Sequence, residues 1–287
     1  MSPLTALKQP FKQARWQWRR AQAARRWGRQ LAESVPAVVG NAMPKSGSHL
    51  LIQILNGLTQ LGPFVDPGMP PLSRSAANRN LPEAQVVANL RRLGPGDIAY
   101  CYLHARAPYI EELTRPGIAA FFVYRDPRDV IVSQVFYATQ MHAGHGMHEY
   151  YNQELSSVEE RINAAIQGVQ MDTARLSSIA AKYEHYLGWL QQPAVCSLRF
   201  EDLILDRPAA LGRMLDHLAE HGFTPQASRQ QAIDVLTAAV KPRASGTFRR
   251  GQPGEWREHF TEANKQNFKT ATDDLLQRLG YERDRKW

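Results

Sequence analysis

The strongest constraint in this sequence is an alternation. Four short apolar runs take turns with longer stretches whose apolar residues recur every three or four positions. Val35–Met43 reads as a buried strand, and Leu50, Leu51, Ile54, Leu55, Leu58 and Leu61 follow it at helical spacing. Ile98–Leu103, Ile118–Tyr124 and Val195–Phe200 read as three further strands. Val130, Ile131, Val135 and Ala138 mark a helix after the third strand. The apolar positions from Val158 to Leu190 mark one long helix or two joined ones, and further helices are expected near 208–220, 226–238 and 261–279. Consecutive parallel strands need long crossovers, usually helices, which cover the sheet. The expected fold is therefore α/β, a central parallel β-sheet flanked by helices on both faces. Residues 62–82, 141–157 and 241–256 carry no such period and read as irregular, and no internal repeat is present.

Charge divides the chain differently. Residues 1–32 hold Lys8, Lys12, Arg15, Arg19, Arg20, Arg25, Arg26 and Arg29 and no acid, whereas the remaining 27 basic residues balance all 27 acids. The excess of +8 thus belongs to an N-terminal helical arm, 1–32, carried by a neutral body expected to be a single α/β domain, 33–287. Trp16, Trp18 and Trp27 are interleaved with those cations. Three readings of the arm stay open: a solvated helix packing its tryptophans on the body, a peripheral contact with an anionic membrane or a partner, or a nucleic-acid contact. A neutral body offers no basic surface to match the last, so no nucleic-acid partner is expected. At 43% apolar over 287 residues the chain can bury a core, and no apolar run is long enough to span a membrane. With no secretory pattern at the start and only Cys101 and Cys196, the expected home is the cytoplasm. Both cysteines sit inside apolar strands and read as small core residues.

The first strand runs into Pro44-Lys45-Ser46-Gly47-Ser48-His49 and then the Leu-rich helix. A strand, a tight Gly/Ser turn and a helix start form an anion site, because the first N–H groups of the helix point at the ligand. Gly47 allows close backbone approach, Lys45 adds a cation, and Ser46 and Ser48 add hydroxyl donors. The same residues also suit a plain strand-to-helix turn with a surface lysine. The order Lys-Ser-Gly-Ser is not that of a Walker A loop. The third strand ends in Tyr124-Arg125-Asp126-Pro127-Arg128-Asp129, where Asp126 and Pro127 fit an N-cap and first helical residue. Arg125 at a strand's carboxyl end and Ser133 two turns into the helix suit a second phosphate, although such a turn also serves structure alone.

These two segments together resemble the sulfotransferase family that uses 3′-phosphoadenosine-5′-phosphosulfate (PAPS). The first is similar to the family's Pro-Lys-Ser-Gly-Thr-Thr loop, the second to its Arg-Asn-Pro-Lys-Asp-Val-Ala-Val-Ser segment. Phe248-Arg249-Arg250-Gly251-Gln252-Pro253-Gly254-Glu255-Trp256 resembles its Arg-Lys-Gly-x-x-Gly-Asp-Trp loop, and Phe200-Glu201-Asp202 its Tyr-Glu-Asp. Leu50 stands where the family commonly carries a Trp that stacks on adenine.

The resemblance implies a P-loop-like nucleotide-binding architecture and a set of roles. Lys45 would contact the bridging oxygen between phosphate and sulfonate, and Ser46, Gly47, Ser48 and His49 would line the 5′-phosphate. Arg125 and Ser133 would bind the 3′-phosphate, with Arg249, Arg250 and Gly251 closing over it. Phe200 would lie among the nucleotide-binding residues, and His104 falls where the family carries its catalytic histidine. The implied reaction is in-line transfer of a sulfonate group from PAPS to a hydroxyl or amine of a small-molecule acceptor. It leaves 3′-phosphoadenosine-5′-phosphate (PAP), with His104 as base and no metal. Two alternatives remain: a P-loop nucleotide kinase or NTPase, and a non-catalytic nucleotide-binding module. A homodimer is compatible with either class. His142, His145 and His148 form a further cluster, read as an acceptor-side loop, a plain surface loop or, against the intervening Gly144 and Gly146, a metal site.

Overall fold

The computed structural model describes residues 3–66, 68, 70–75, 77–241 and 249–287, with side chains in the first helix given from Gln13 onward. The chain folds as two compact units, residues 1–124 with 188–242 and residues 125–187 with 243–287. The strands are β1 (Ala37–Ala42), β2 (Ile98–Cys101), β3 (Ile118–Tyr124), β4 (Val169–Gln170), β5 (Arg175–Leu176) and β6 (Val195–Arg199).

The first unit holds a four-stranded sheet in the order β2-β1-β3-β6, parallel throughout, as the alternation predicted. Register places Gly40 of β1 opposite Tyr100, Phe121 of β3 opposite both Gly40 and Cys196, and Tyr124 opposite Arg199. Side chains alternate across a strand, so Val38, Ala119, Phe121, Val123 and Leu198 share one face. That face is buried with Leu51, Ile54 and Leu55 of helix Ser48–Gly57, and with apolar residues of Phe200–Leu205, Arg207–Glu220 and Arg229–Ala238. The opposite face meets helix Tyr109–Thr114 and the short 3-10 turn Gly188–Gln191, whose Trp189 ring lies 6.4 Å from that of Phe122. Both thiols stay in this unit: Cys101 is fully buried, and burial pushes the Cys196 pKa up to about 11.

The arm is two helices, Pro3–Trp27 and Arg29–Ser34, because Gly28 takes φ +90° and breaks the run. The first belongs to the sheet's unit. Trp16 Nε1 donates to Asp97 Oδ1 at 2.9 Å, and Arg20 pairs with the same carboxylate at 3.2 Å. Arg19 donates to the Asp66 carbonyl. The tryptophans therefore divide: Trp16 and Trp27 are half-buried, whereas Trp18 is 59% exposed beside exposed Arg15, Arg25 and Arg26. Among the described residues no helix is long and apolar enough to cross a membrane.

In the second unit the periodic stretch 158–190 is interrupted. Ser157 and Glu160 close a capping box at the start of helix Val158–Gln167, which stops at Gly168, φ +84°. A Cβ at Gly168 would meet the Leu176 carbonyl oxygen and the Ser178 nitrogen at 2.7 Å. Here β4 pairs antiparallel with β5, and a new helix covers Ile179–Leu187. Val169 is buried in the ribbon, so apolar spacing survives although the helix does not. The helix expected over 261–279 is likewise split into Glu262–Thr272 and Leu275–Arg278. Two π-helical turns, Tyr137–Met141 and Tyr150–Glu154, bracket the irregular stretch between.

Asp97 is 1% exposed and accepts from Trp16, Arg20 and the Gly94 N–H, so its removal strands several donors at once. Asp97→Ala is expected to lower unfolding free energy by about 1–3 kcal/mol. Limited trypsin digestion should then cut within the arm well before the sheet unit is degraded.

Candidate functional site

One candidate segment lies in the sheet unit, where β1 turns into helix Ser48–Gly57. Lys45 has φ +69° and Gly47 φ +92°, two left-handed residues within three positions. Such a turn directs successive N–H groups into one concavity, which favours an anion. Gly47 is the helix N-cap, and no side chain caps the first turn. Its hydrogen is needed twice over: a Cβ would lie 2.5 Å from the Phe200 ring, and L-residues rarely hold that φ. Ser46 is fully buried, and its hydroxyl makes no hydrogen bond. Ser48 Oγ accepts from the Tyr102 hydroxyl at 3.0 Å, which ties the end of β2 to the helix start. The His49 pKa is lowered, first by burial and then by Lys45, so its ring is neutral at pH 7.

His104 follows β2 by three residues and is exposed. Its place is fixed through its neighbour Leu103. The Leu103 N–H donates to Asn41 Oδ1 at 2.8 Å. Its carbonyl accepts from Asn41 Nδ2 at 3.1 Å and from Trp189 Nε1 at 2.8 Å. Asn41 and Trp189 are both buried, so the backbone entering His104 is held from two elements.

A candidate segment of the second unit opens at Arg125, immediately after β3. Asp126 caps helix Pro127–Phe136 by accepting from the Arg128 N–H at 2.9 Å, and Pro127 takes the first helical position. Arg128 folds back on Asp126 at 2.7 Å, reaches Glu282 at 2.7 Å, and lies 4.0 and 4.5 Å from the Trp256 and Trp287 ring centroids. Asp129 gathers the C-terminal loop. Its carboxylate accepts from Gly254 N at 2.8 Å, Trp256 N at 2.9 Å and Arg125 Nη2 at 3.3 Å. Arg125 also donates to the Gln252 carbonyl at 3.1 Å, while its own carbonyl accepts from the Tyr183 hydroxyl at 2.6 Å. Arg249 pairs with Glu255 at 2.5 Å and lies 4.3 Å from the Phe136 ring centroid, and Arg250 donates to Glu258 at 2.6 Å. Gly251 takes φ +64°.

A family model described as the sulfotransferase domain matches residues 109–280, more than half of the chain. The chain belongs to the sulfotransferase domain family. Flavonol 3-sulfotransferase of Flaveria bidentis is 23% identical over 186 residues, 55% of each sequence, so the chain spans about half the length of that relative. Among solved structures, a mouse sulfotransferase complexed with PAP superposes with TM-score 0.57 at 14% identity, covering 84% of this chain and 85% of that one. Retinol dehydratase, in complex with androsterone and inactive cofactor PAP, gives 0.57 at 16% identity over 85% and 83%. These structures share the fold of this sulfotransferase-family chain.

Within each unit the family-like segments converge. Lys45, Ser46, Gly47, Ser48 and His49 form one turn in the first. Arg125, Asp129 and the 249–256 loop are bonded together in the second, with Ser133 half-buried on the same helix as Asp129. Phe248 lies outside the described residues. Phe200 is buried under Gly47 at the start of its helix, a packing position. His142 and His145 meet with ring centroids 6.5 Å apart, both against Tyr137, while His148 Nδ1 bonds the Ala138 carbonyl, and among the described residues the three form no ligand group. Sequence reading missed Asn41, Trp189, Asp129 and Tyr183. The one available signal was Asn41, a polar residue inside an apolar strand.

It also missed Lys182, whose ammonium donates to Gln134 Oε1 at 2.6 Å and whose pKa burial pushes down to about 8. The folded state disfavours its charge, so between pH 8 and the ordinary lysine range the unfolded chain binds more protons, and stability rises with pH. Lys182→Met is expected to be more stable than the parent at pH 7, with the gap narrowing above pH 8 in urea midpoints. Gly47→Ala should cost about 1–3 kcal/mol through strain and the Phe200 clash. Adding Phe200→Leu should recover only part, since it relieves the clash and not the φ.

Proposed function

We propose that this chain is a PAPS-dependent sulfotransferase acting on a hydroxyl or amine of a small-molecule acceptor. The observation that carries the reading is the first turn. Its buried Ser46 hydroxyl without a protein partner, two left-handed residues and uncapped helix start fit a phosphate. Family membership, which rests on residues 109–280, supports it independently of that turn.

PAPS, when bound, supplies the sulfonate and departs as PAP. Ser46, Gly47, Ser48 and His49 hold the 5′-phosphate, and Lys45 places its ammonium at the bridging oxygen. Arg125 and Ser133 take the 3′-phosphate, with Arg249, Arg250 and Gly251 over it. His104 accepts the acceptor's proton as the new bond to sulfur forms and the old sulfur–oxygen bond breaks. Lys45 neutralises the electron pair left on the phosphate oxygen, where a preorganised donor acts most strongly. Leu103, held by Asn41 and Trp189, keeps the histidine's backbone in place. No step requires a metal. The setting is cytoplasmic. The outward cations and Trp18 of the arm are left for a membrane surface or partner, and transfer needs none of them.

A thermal-shift series tests donor recognition. PAP should raise the melting temperature more than AMP or ATP, because only PAP carries phosphates at both ends. Equal shifts from AMP and PAP would remove Arg125 and Ser133 from the reading. Radiolabelled PAPS with an acceptor panel, run beside ATP and Mg²⁺, separates sulfonate from phosphoryl transfer. His104→Ala should lose transfer by about 10²–10⁴-fold while keeping PAP affinity. Arg125→Ala should lose PAP affinity first.

A further inference from the structure

Helix Arg207–Glu220 and its C-cap end in His217-Leu218-Ala219-Glu220-His221. Positions 217, 220 and 221 fall on one face of a helix. One potential ligand atom from each lies within 4.8 Å of the other two, and among the described residues this is the one such group of His, Cys, Asp or Glu.

The three side chains are not equivalent. His217 is 6% exposed, its ring edge-on to Phe121 of β3 at 5.1 Å and 4.3 Å from the His221 ring. Its buried Nε2 makes no hydrogen bond, whereas Nδ1 lies 3.8 Å from Glu220 Oε2. With the proton on Nε2, Nδ1 presents a lone pair toward Glu220. His221 Nδ1 is 2.8 Å from the His217 carbonyl, which can only accept, so the proton sits there and Nε2 is left as a donor atom for a ligand. The Glu220 side chain is 73% exposed and swings freely. At 3.8 Å the His217 Nδ1 and Glu220 Oε2 atoms are too far apart for a hydrogen bond.

We propose that His217, Glu220 and His221 form a site for a divalent transition metal with nitrogen and oxygen ligands, Zn²⁺ being the best match. Bonds of about 2.0–2.2 Å put tetrahedral donors roughly 3.4 Å apart, a contraction that rotation of Glu220 and His221 supplies. A cation there also meets the negative end of the helix dipole. Phe121 lies three residues before Tyr124, the carboxyl end of β3 beside which the phosphate turn forms. The metal therefore braces the helix end on the sheet and takes no part in transfer. A fourth position stays open to water.

The test uses the full chain without a polyhistidine tag, stripped with EDTA and titrated with Zn²⁺ by calorimetry and with Co²⁺ by visible absorption. One equivalent should bind, the melting temperature should rise, and Co²⁺ should give the intense bands of tetrahedral coordination. His221→Ala and Glu220→Gln, both at exposed or half-buried positions, should each weaken binding at least tenfold while the far-UV spectrum stays unchanged. Absence of binding, affinity unchanged from the parent in both variants, or loss of binding in His142→Ala/His145→Ala instead would overturn the proposal.

Discussion

The buried amide of Asn41 is the contact on which the sheet unit's working end depends. It stands at the fifth position of a six-residue strand whose other residues are apolar or glycine. Both of its polar ends are spent on Leu103, and Cys101 Sγ points at the same oxygen at 3.5 Å. Leu103 lies beyond the last paired residue of β2, where a sheet ladder can no longer hold the chain. The amide replaces the missing ladder bonds with side-chain bonds of the same kind. An apolar residue there would leave a buried N–H unpaired, at about 1–3 kcal/mol, and release the backbone that carries His104. The same strand ends one residue after Asn41, and Met43 N bonds the Val123 carbonyl before the turn begins. One polar side chain thus sits between the two segments that the chemistry needs in fixed places.

Asp129 plays the corresponding part in the second unit. It is buried and charged, which is costly unless every lone pair is used. Two backbone N–H groups and one guanidinium use them, and these come from Arg125 and from the loop containing Gly254 and Trp256. Arg128 resolves its own burial through Asp126, Glu282 and two tryptophan faces. Neither residue touches a ligand in the proposed reaction. They explain why a segment after β3 and a loop more than a hundred residues later act as one piece.

The fold was legible where a single rule governed. The two central strands, β1 and β3, are buried on both sides, and the parallel order of all four follows from the helices between them. Periodicity failed where a glycine acted. Gly168 and Gly28 end helices through backbone angles that leave the apolar spacing undisturbed on either side. The turn after β1 was legible because its geometry is written in glycine and serine. Asn41 and Asp129 were not read as organising residues, since each acts on a partner more than sixty positions away. Phe200, expected among the nucleotide-binding residues, is packed beneath the turn, a contact its motif does not announce. Apolar side chains take the interior whenever a neighbour leaves room, and Gly47 leaves it.

On the proposed reading, the arginines of the second unit build a phosphate site in a nearly neutral body. Arg125 and Arg249 are each engaged by a carboxylate, Asp129 and Glu255. A guanidinium has five donors in a planar fork, and one carboxylate does not exhaust them. The carboxylate and the Phe136 ring hold Arg249 in a single orientation, which removes rotamer entropy before a ligand arrives. The cost is competition, because an incoming phosphate must share the cation with a fixed anion. A dianionic phosphate outbids a hydrogen bond it does not have to break completely. Weak, singly charged anions gain too little to do so. On that reading paired arginines select for phosphate charge, while the excess cations of the chain belong to the arm.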